Sequence, residues 1–167
     1  MGATWQTVGI TGAMLYAGLY AAKRAAIGPL KWFEPGDFGA WFPLLDTDLI
    51  IKLDQFADYL QTRVIISPAP GAIGRIGTGA ESSQHFPKPY IYAIDVMSPG
   101  ASLEDQYQAA RAVGFHGIGL YPNWKPYHGV HLDTRTDRDA DNPAEWSSVR
   151  KAANGRQVYT GVQAALS

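Results

Sequence analysis

Gly114-Phe115-His116-Gly117-Ile118-Gly119-Leu120-Tyr121-Pro122 and, five residues later, His128-Gly129-Val130-His131-Leu132-Asp133-Thr134-Arg135 decide how this chain is read. In the second stretch Val130 and Leu132 alternate with His131 and Asp133. On an extended strand that alternation sends the two aliphatic side chains into a core and sets the imidazole and carboxylate together on the opposite face. A His-x-Asp pair of this kind has two readings, a hydrogen-bonded surface pair or one half of a metal or acid/base site. Further ligands separate them. Upstream, Ser82-Ser83-Gln84-His85 is followed ten residues after His85 by Asp95, within Tyr90-Ile91-Tyr92-Ala93-Ile94-Asp95-Val96. His85, Asp95 and His131 give two imidazoles and a carboxylate on separate elements, a set that leaves a position open for water as catalytic zinc sites do.

Composition narrows the alternatives. The 167 residues suit one domain with a substantial core. A net charge of -1, with 17% charged residues, argues against a nucleic-acid binder, which would carry a basic face. With no cysteine in the chain, a disulfide framework and thiolate metal ligands are excluded, so a metal would need His, Asp or Glu.

Taken in order, Ser83-x-His85, Ala93-x-Asp95, Gly114-Phe115-x-Gly117-Ile118-Gly119-x-Tyr121-Pro122 and Val130-His131-Leu132-Asp133-Thr134-Arg135 resemble the zinc D-alanyl-D-alanine carboxypeptidase family. These peptidases share a fold with hedgehog signalling domains, and the likeness is greatest to small peptidoglycan peptidases of phage and bacteria. It runs from about Trp32 to Arg135, and the ordered set is far more specific than any single motif. The resemblance implies an α+β fold with a central, mainly antiparallel sheet flanked by helices. It also implies zinc held by His85, Asp95 and His131, and hydrolysis of a peptidoglycan peptide. The family's usual general base, Glu or Asp three residues before the last histidine ligand, is replaced by His128, which is the expected base. Asp133 is expected to accept a hydrogen bond from a ligand imidazole and fix its tautomer. The family's substrate-binding arginine loop is absent, since Ser67-Pro68-Ala69-Pro70 stands in its place; Arg75 is the nearest replacement. Ser83 is expected to support the His85 loop at the substrate side. The interval from His85 to Asp95 is longer than is usual in the family, and Phe86-Pro87-Lys88-Pro89 reads as the insertion.

Around these motifs the coarse structure is legible. Asp46 and Thr47 can cap a helix whose Leu49, Leu53, Phe56 and Leu60 form an apolar face. Arg63 to Ser67 reads as a buried strand, and Pro68 to Ala80, rich in Pro and Gly, as a loop. Ser102 caps a second helix that stops at Gly114. His116 lies outside the ligand pattern and reads as an exposed or hydrogen-bonded histidine. Asn142-Pro143-Ala144-Glu145 predicts a short helix to about Lys151, ended by an Asn154-Gly155 turn. Residues 156–167 read as an extra strand or a docking tail.

Residues 1–30 are expected to form a unit apart from the peptidase-like 31–167. Val8 to Ala22 carry no charge, but the run is short for a membrane span, and Lys23 and Arg24 come after it, where a secretory signal would put its positive charge ahead. An arm that packs on another protein, a helix of the domain itself and a membrane-associated helix remain open, the arm being preferred. Together these features suggest a lysin carried in a phage or phage-like particle, acting in the virion or outside the cell membrane and contacting other virion proteins through residues 1–30. A non-catalytic structural or receptor-binding virion component with the same fold is the alternative.

Overall fold

The computed structural model describes residues 5–77, 80–152 and 155–167. In chain order the elements are α1 (Trp5–Ile27), a 3-10 segment (Pro35–Leu44), α2 (Thr47–Leu60), β1 (Ile65–Ile66), β2 (Ala93–Met97), α3 (Leu103–Val113), β3 (Gly117–Tyr121), β4 (Gly129–Asp133), β5 (Ala144–Lys151), β6 (Gln157–Thr160) and α4 (Gln163–Leu166). One six-stranded sheet runs β1-β2-β4-β3-β5-β6, antiparallel except where β5 lies parallel to β3. The protein is therefore α+β, with a mixed sheet flanked by helices.

Two short-range signals place the helices. The Asp46 carboxylate accepts the Leu49 N–H at 3.1 Å, and from that cap α2 buries Leu49, Ile50, Leu53, Phe56 and Ala57. Ser102 and Asp105 form a capping box at the start of α3, and Gly114 ends it with φ +84, a left-handed conformation that glycine adopts without strain. Strand alternation places the rest. Ile94, Val96, Ile118, Leu120, Val130 and Leu132 point to one side of the sheet and join Leu53, Phe56, Ala109, Ala110 and Phe115 in a single core. The odd-numbered residues of the central strands are thereby turned to the other face, and that face carries the site.

Three sequence expectations change here. The stretch expected to be a helix to Lys151 is strand β5, because β3 needs a partner on its open edge and the run Ala144 to Ser147 pairs with Gly117 to Leu120. Completing a sheet outweighs a local capping pattern. The strand expected over Arg63 to Ser67 is shorter, pairing only at Ile65 and Ile66 on the half-buried sheet edge. Third, residues before Gly28 were expected to add little to the core, but the end of α1 docks on its own chain. Tyr20 packs 4.8 Å from Phe42, Ile27 is buried, and Lys23 Nζ donates to the Leu45 carbonyl at 2.6 Å and to Thr47 Oγ1 at 3.1 Å. Further up the helix Met14, Leu15, Tyr16 and Leu19 are exposed. No helix among the described residues is long and apolar enough to cross a membrane. Asn154 lies outside the described residues, while Gly155 turns with φ +79 and donates to the Ala152 carbonyl. Of the two readings for residues 156–167, the strand is found as β6, followed by α4.

Asp46 also accepts the buried Thr134 hydroxyl at 3.1 Å, tying α2 to the segment after β4. Asp46→Ala removes both bonds and is expected to lower stability by about 1–2 kcal/mol in urea unfolding. An unchanged midpoint would show that the cap contributes nothing here.

Candidate metal centre

The three expected ligands are delivered in two ways, two from a strand pair and one from a loop. Asp95 and His131 are directly paired across β2 and β4, so both side chains rise from the same point of the sheet. His85 comes from the long loop before β2, which is tied down on both sides. Arg75 N–H donates to the His85 carbonyl at 3.0 Å, Tyr92 N–H to the Gln84 carbonyl at 3.0 Å, and Asp95 N–H to the Ala72 carbonyl at 2.8 Å. Phe86 to Pro89 lie between these ties, so that segment does not displace His85. Ser83 Oγ accepts the His85 N–H at 3.2 Å, a further tie within the loop.

The tautomers follow from the outer partners. His85 Nδ1 faces the Ile73 carbonyl at 3.0 Å, and a carbonyl only accepts, so the proton sits on Nδ1 and Nε2 keeps a lone pair. His131 Nε2 donates to Asp133 Oδ2 at 2.9 Å, which frees Nδ1. The inward atoms then form a triangle: His85 Nε2 to His131 Nδ1 3.1 Å, His131 Nδ1 to Asp95 Oδ1 2.9 Å, and His85 Nε2 to Asp95 Oδ1 3.3 Å. All three residues are buried. Three electron pairs aimed at one point in a low-dielectric setting repel unless a proton or cation lies among them. A tetrahedral ion with bonds of about 2.0–2.1 Å spaces its ligands by roughly 3.3–3.4 Å, so the donor set fits a metal ion with little adjustment.

Asp133, the partner of His131 Nε2, is itself supported from behind. It is fully buried, accepts Arg135 Nε at 2.9 Å and Arg135 N–H at 3.2 Å, and Arg135 in turn lies over the Trp146 ring, 5.4 Å from its centroid. Burial opposes the charge on Asp95 and Asp133. The imidazoles of His131 and His85 outweigh it at Asp95, and Arg135 with His131 at Asp133, so both carboxyls are held well below their ordinary range. Burial also disfavours charge on His131, but its bonds to Asp133 and Asp95 prevail and push it up to about 9. In the metal-free chain a proton occupies the place a cation would take.

Glycines make room for this layer. A Cβ on Gly117 would meet the Asp133 carboxylate at 2.2 Å, and one on Gly119 would meet the Trp146 indole at 2.6 Å. Both residues lie on the site face of β3, so the Gly-x-Gly spacing is a packing requirement of the site.

A cavity of about 510 Å³ opens over the three ligands, lined also by Arg75, Tyr121, Trp124, Trp146 and Tyr159. Arg75 approaches Asp95 Oδ2 at 3.3 Å and so reaches the cleft. His128 does not. Its ring Nε2 donates to the Ala101 carbonyl at 2.9 Å, and it is not among the residues that line the cleft. His116 is likewise outside the cleft, bonded through Nδ1 to the Arg135 carbonyl at 2.7 Å. Sequence reasoning missed Tyr121, Trp124, Trp146 and Tyr159. Tyr121 shares a face with Gly117 and Gly119, and that alternation could have exposed it. Its hydroxyl accepts Trp146 Nε1–H at 2.9 Å, and burial pushes the phenol up, against that donated bond, so it keeps its proton.

Fold and site together define an α+β protein with a buried His-Asp-His centre able to hold a metal ion. Comparison with protein-family models, curated proteins and solved structures finds no match to this chain.

The metal-free protein should show a distinctive pH profile. His131 titrates at about 9 when folded against an ordinary 6.5, so its contribution is complete below pH 6.5 and disappears as pH rises to about 9. Asp95 and Asp133 act oppositely, losing their contribution as pH falls below the ordinary 3.8. Chelated protein is therefore expected to be most stable between about pH 4 and 6.5 and to weaken toward pH 9 in urea melts. Metal affinity should rise over that same upper range, because the ion displaces the His131 proton. Affinity independent of pH from 6.5 to 9 would contradict the arrangement.

Proposed function

We propose that this chain is a zinc-dependent peptidase acting on peptidoglycan peptides, of the hedgehog/DD-peptidase fold, carried by a phage or phage-like particle. The observation that carries the reading is the convergence of His85 Nε2, Asp95 Oδ1 and His131 Nδ1 on one point beneath an open cleft. The order of their motifs matches the zinc carboxypeptidase pattern read from the sequence. Zinc at this position supplies Lewis-acid activation of water and of the scissile carbonyl. His85 and His131 are held in the ligating tautomer by Ile73 and Asp133, and Arg135 holds Asp133. Tyr121, whose hydroxyl oxygen accepts Trp146 Nε1–H, lines the cleft as a neutral phenol beside a bound peptide. Arg75 stands at the rim for a substrate carboxylate. The exposed Met14, Leu15 and Leu19 of α1 are where the chain contacts other virion proteins.

One observation favours a second reading, a virion component that keeps the fold and metal without turnover. Among the described residues lining the cleft, the ionisable side chains besides the ligands are Arg75, Arg135, Tyr121 and Tyr159, so no free carboxylate or imidazole stands beside the ligand atoms. Asp133 is the nearest further proton acceptor, and it is engaged by Arg135 and His131.

Zinc content by atomic absorption, paired with cleavage of purified muropeptides, separates these readings. The native chain is expected to bind one zinc and to cleave. His131→Ala should lose both metal and cleavage. His128→Ala should keep its metal and a rate within about twofold, since its ring lies on the Ala101 carbonyl and not in the cleft; a loss in the 10²–10⁴-fold range of a removed general base would reverse that placement. Zinc without cleavage supports the virion component, and a chain that binds no zinc overturns both readings.

A further inference from the structure

A second cavity of about 460 Å³ lies beside the first and shares Trp124 and Gln157 with it. Strand register fixes the relation between them. Asp95 stands opposite His131, and two residues along the same strands Met97 stands opposite Gly129. Two residues on a strand keep the same face and advance about 6.8 Å, so both cavities open on one side of the sheet. The partition is Trp124, whose ring stacks on Tyr121 at 4.2 Å and lies over Gly129, where a Cβ would meet it at 2.8 Å.

The two compartments differ in charge. In the first, Arg75 faces Asp95 and Arg135 faces Asp133, so each guanidinium has a carboxylate. The second is lined by Lys125 and Arg150 together with Ser67, Ser148 and Gln157, and contains no acidic side chain among the described residues. Among those residues neither Lys125 nor Arg150 has an ion-pair partner. Asn123 Nδ2 donates to the Val149 carbonyl at 2.6 Å, which fastens the β3–β4 loop to β5 and brings Lys125 to the side of the cavity that Arg150 lines. Lys125 and Arg150 are both exposed and line the same concavity, so an anion there would meet two cationic side chains.

We propose that this second cavity is a subsite for a carboxylate-bearing residue of an extended acidic peptide, bound by Lys125 and Arg150 while the neighbouring part of the same chain crosses Trp124 into the ligand cleft. Only the choice of a peptide as occupant rests on the peptidase reading. The subsite selects peptides by an acidic side group placed away from the bond over the metal centre.

Binding, not cleavage, tests it. The full chain, with zinc and again after chelation, is titrated calorimetrically with the pentapeptide Ala-γGlu-Lys-Ala-Ala bearing a free α-carboxyl on its glutamate, and with the same peptide amidated at that carboxyl. The free acid is expected to bind about tenfold more tightly, the effect of one charge-assisted contact at a solvent-accessible site. Lys125→Ala combined with Arg150→Ala should abolish that preference. Equal affinities for acid and amide, no binding of either, or a preference that survives the double substitution would overturn the subsite. Because turnover is not the readout, failure of the peptidase reading shows separately, as zinc-loaded protein that prefers the acid yet leaves muropeptides intact.

Discussion

Everything at the centre of this protein depends on how one imidazole is shared. His131 gives its Nε2 proton to Asp133 and turns Nδ1 toward Asp95 and His85. Asp133 can remain charged in a fully buried position because Arg135 reaches it with both main chain and side chain. If Asp133 were neutral or displaced, His131 could adopt either tautomer, and the three inward atoms would no longer present a uniform set of lone pairs. The Arg135–Asp133–His131 sequence is thus the constraint that sets the metal-binding geometry.

The sheet is built to accommodate that constraint. Its aliphatic face is conventional, with Val130, Leu132, Ile94 and Ile118 packed beneath α2 and α3. Its other face is polar and tightly filled, and Gly117 and Gly119 yield the space that Asp133 and Trp146 occupy. Trp146 meets Arg135, His131 and Tyr121 at once, at 5.4 Å, 5.1 Å and 2.9 Å respectively. Through it β5, the strand least evident from local patterning, becomes part of the site. The same face continues past Trp124 into the second cavity, lined by Lys125 and Arg150, so the two cavities follow one another along the strands.

The sequence by itself determined the parts whose physics is local or periodic. The Val130/Leu132 alternation assigned His131 and Asp133 to a common face, the caps at Asp46 and Ser102 placed two helices, and the order of His85, Asp95 and His131 nominated three ligands that the fold brings within hydrogen-bonding distance. Partners distant in the chain decided the rest, and only the tertiary structure supplies them. Asn142-Pro143-Ala144-Glu145 has a helical beginning, yet the open edge of β3 draws Ala144–Lys151 into a strand, because a sheet partner satisfies more backbone groups than an isolated turn. His128 lies close to His131 in sequence, just ahead of β4, yet its ring donates a hydrogen bond to the Ala101 carbonyl and stays out of the cleft. The charge on Asp133 is likewise non-local, since it depends on burial supplied by the whole sheet and on the turn that folds Arg135 back. Spacing along the chain could name the ligands; which side of the sheet each neighbour occupies, and which charges meet there, was set by strand pairing.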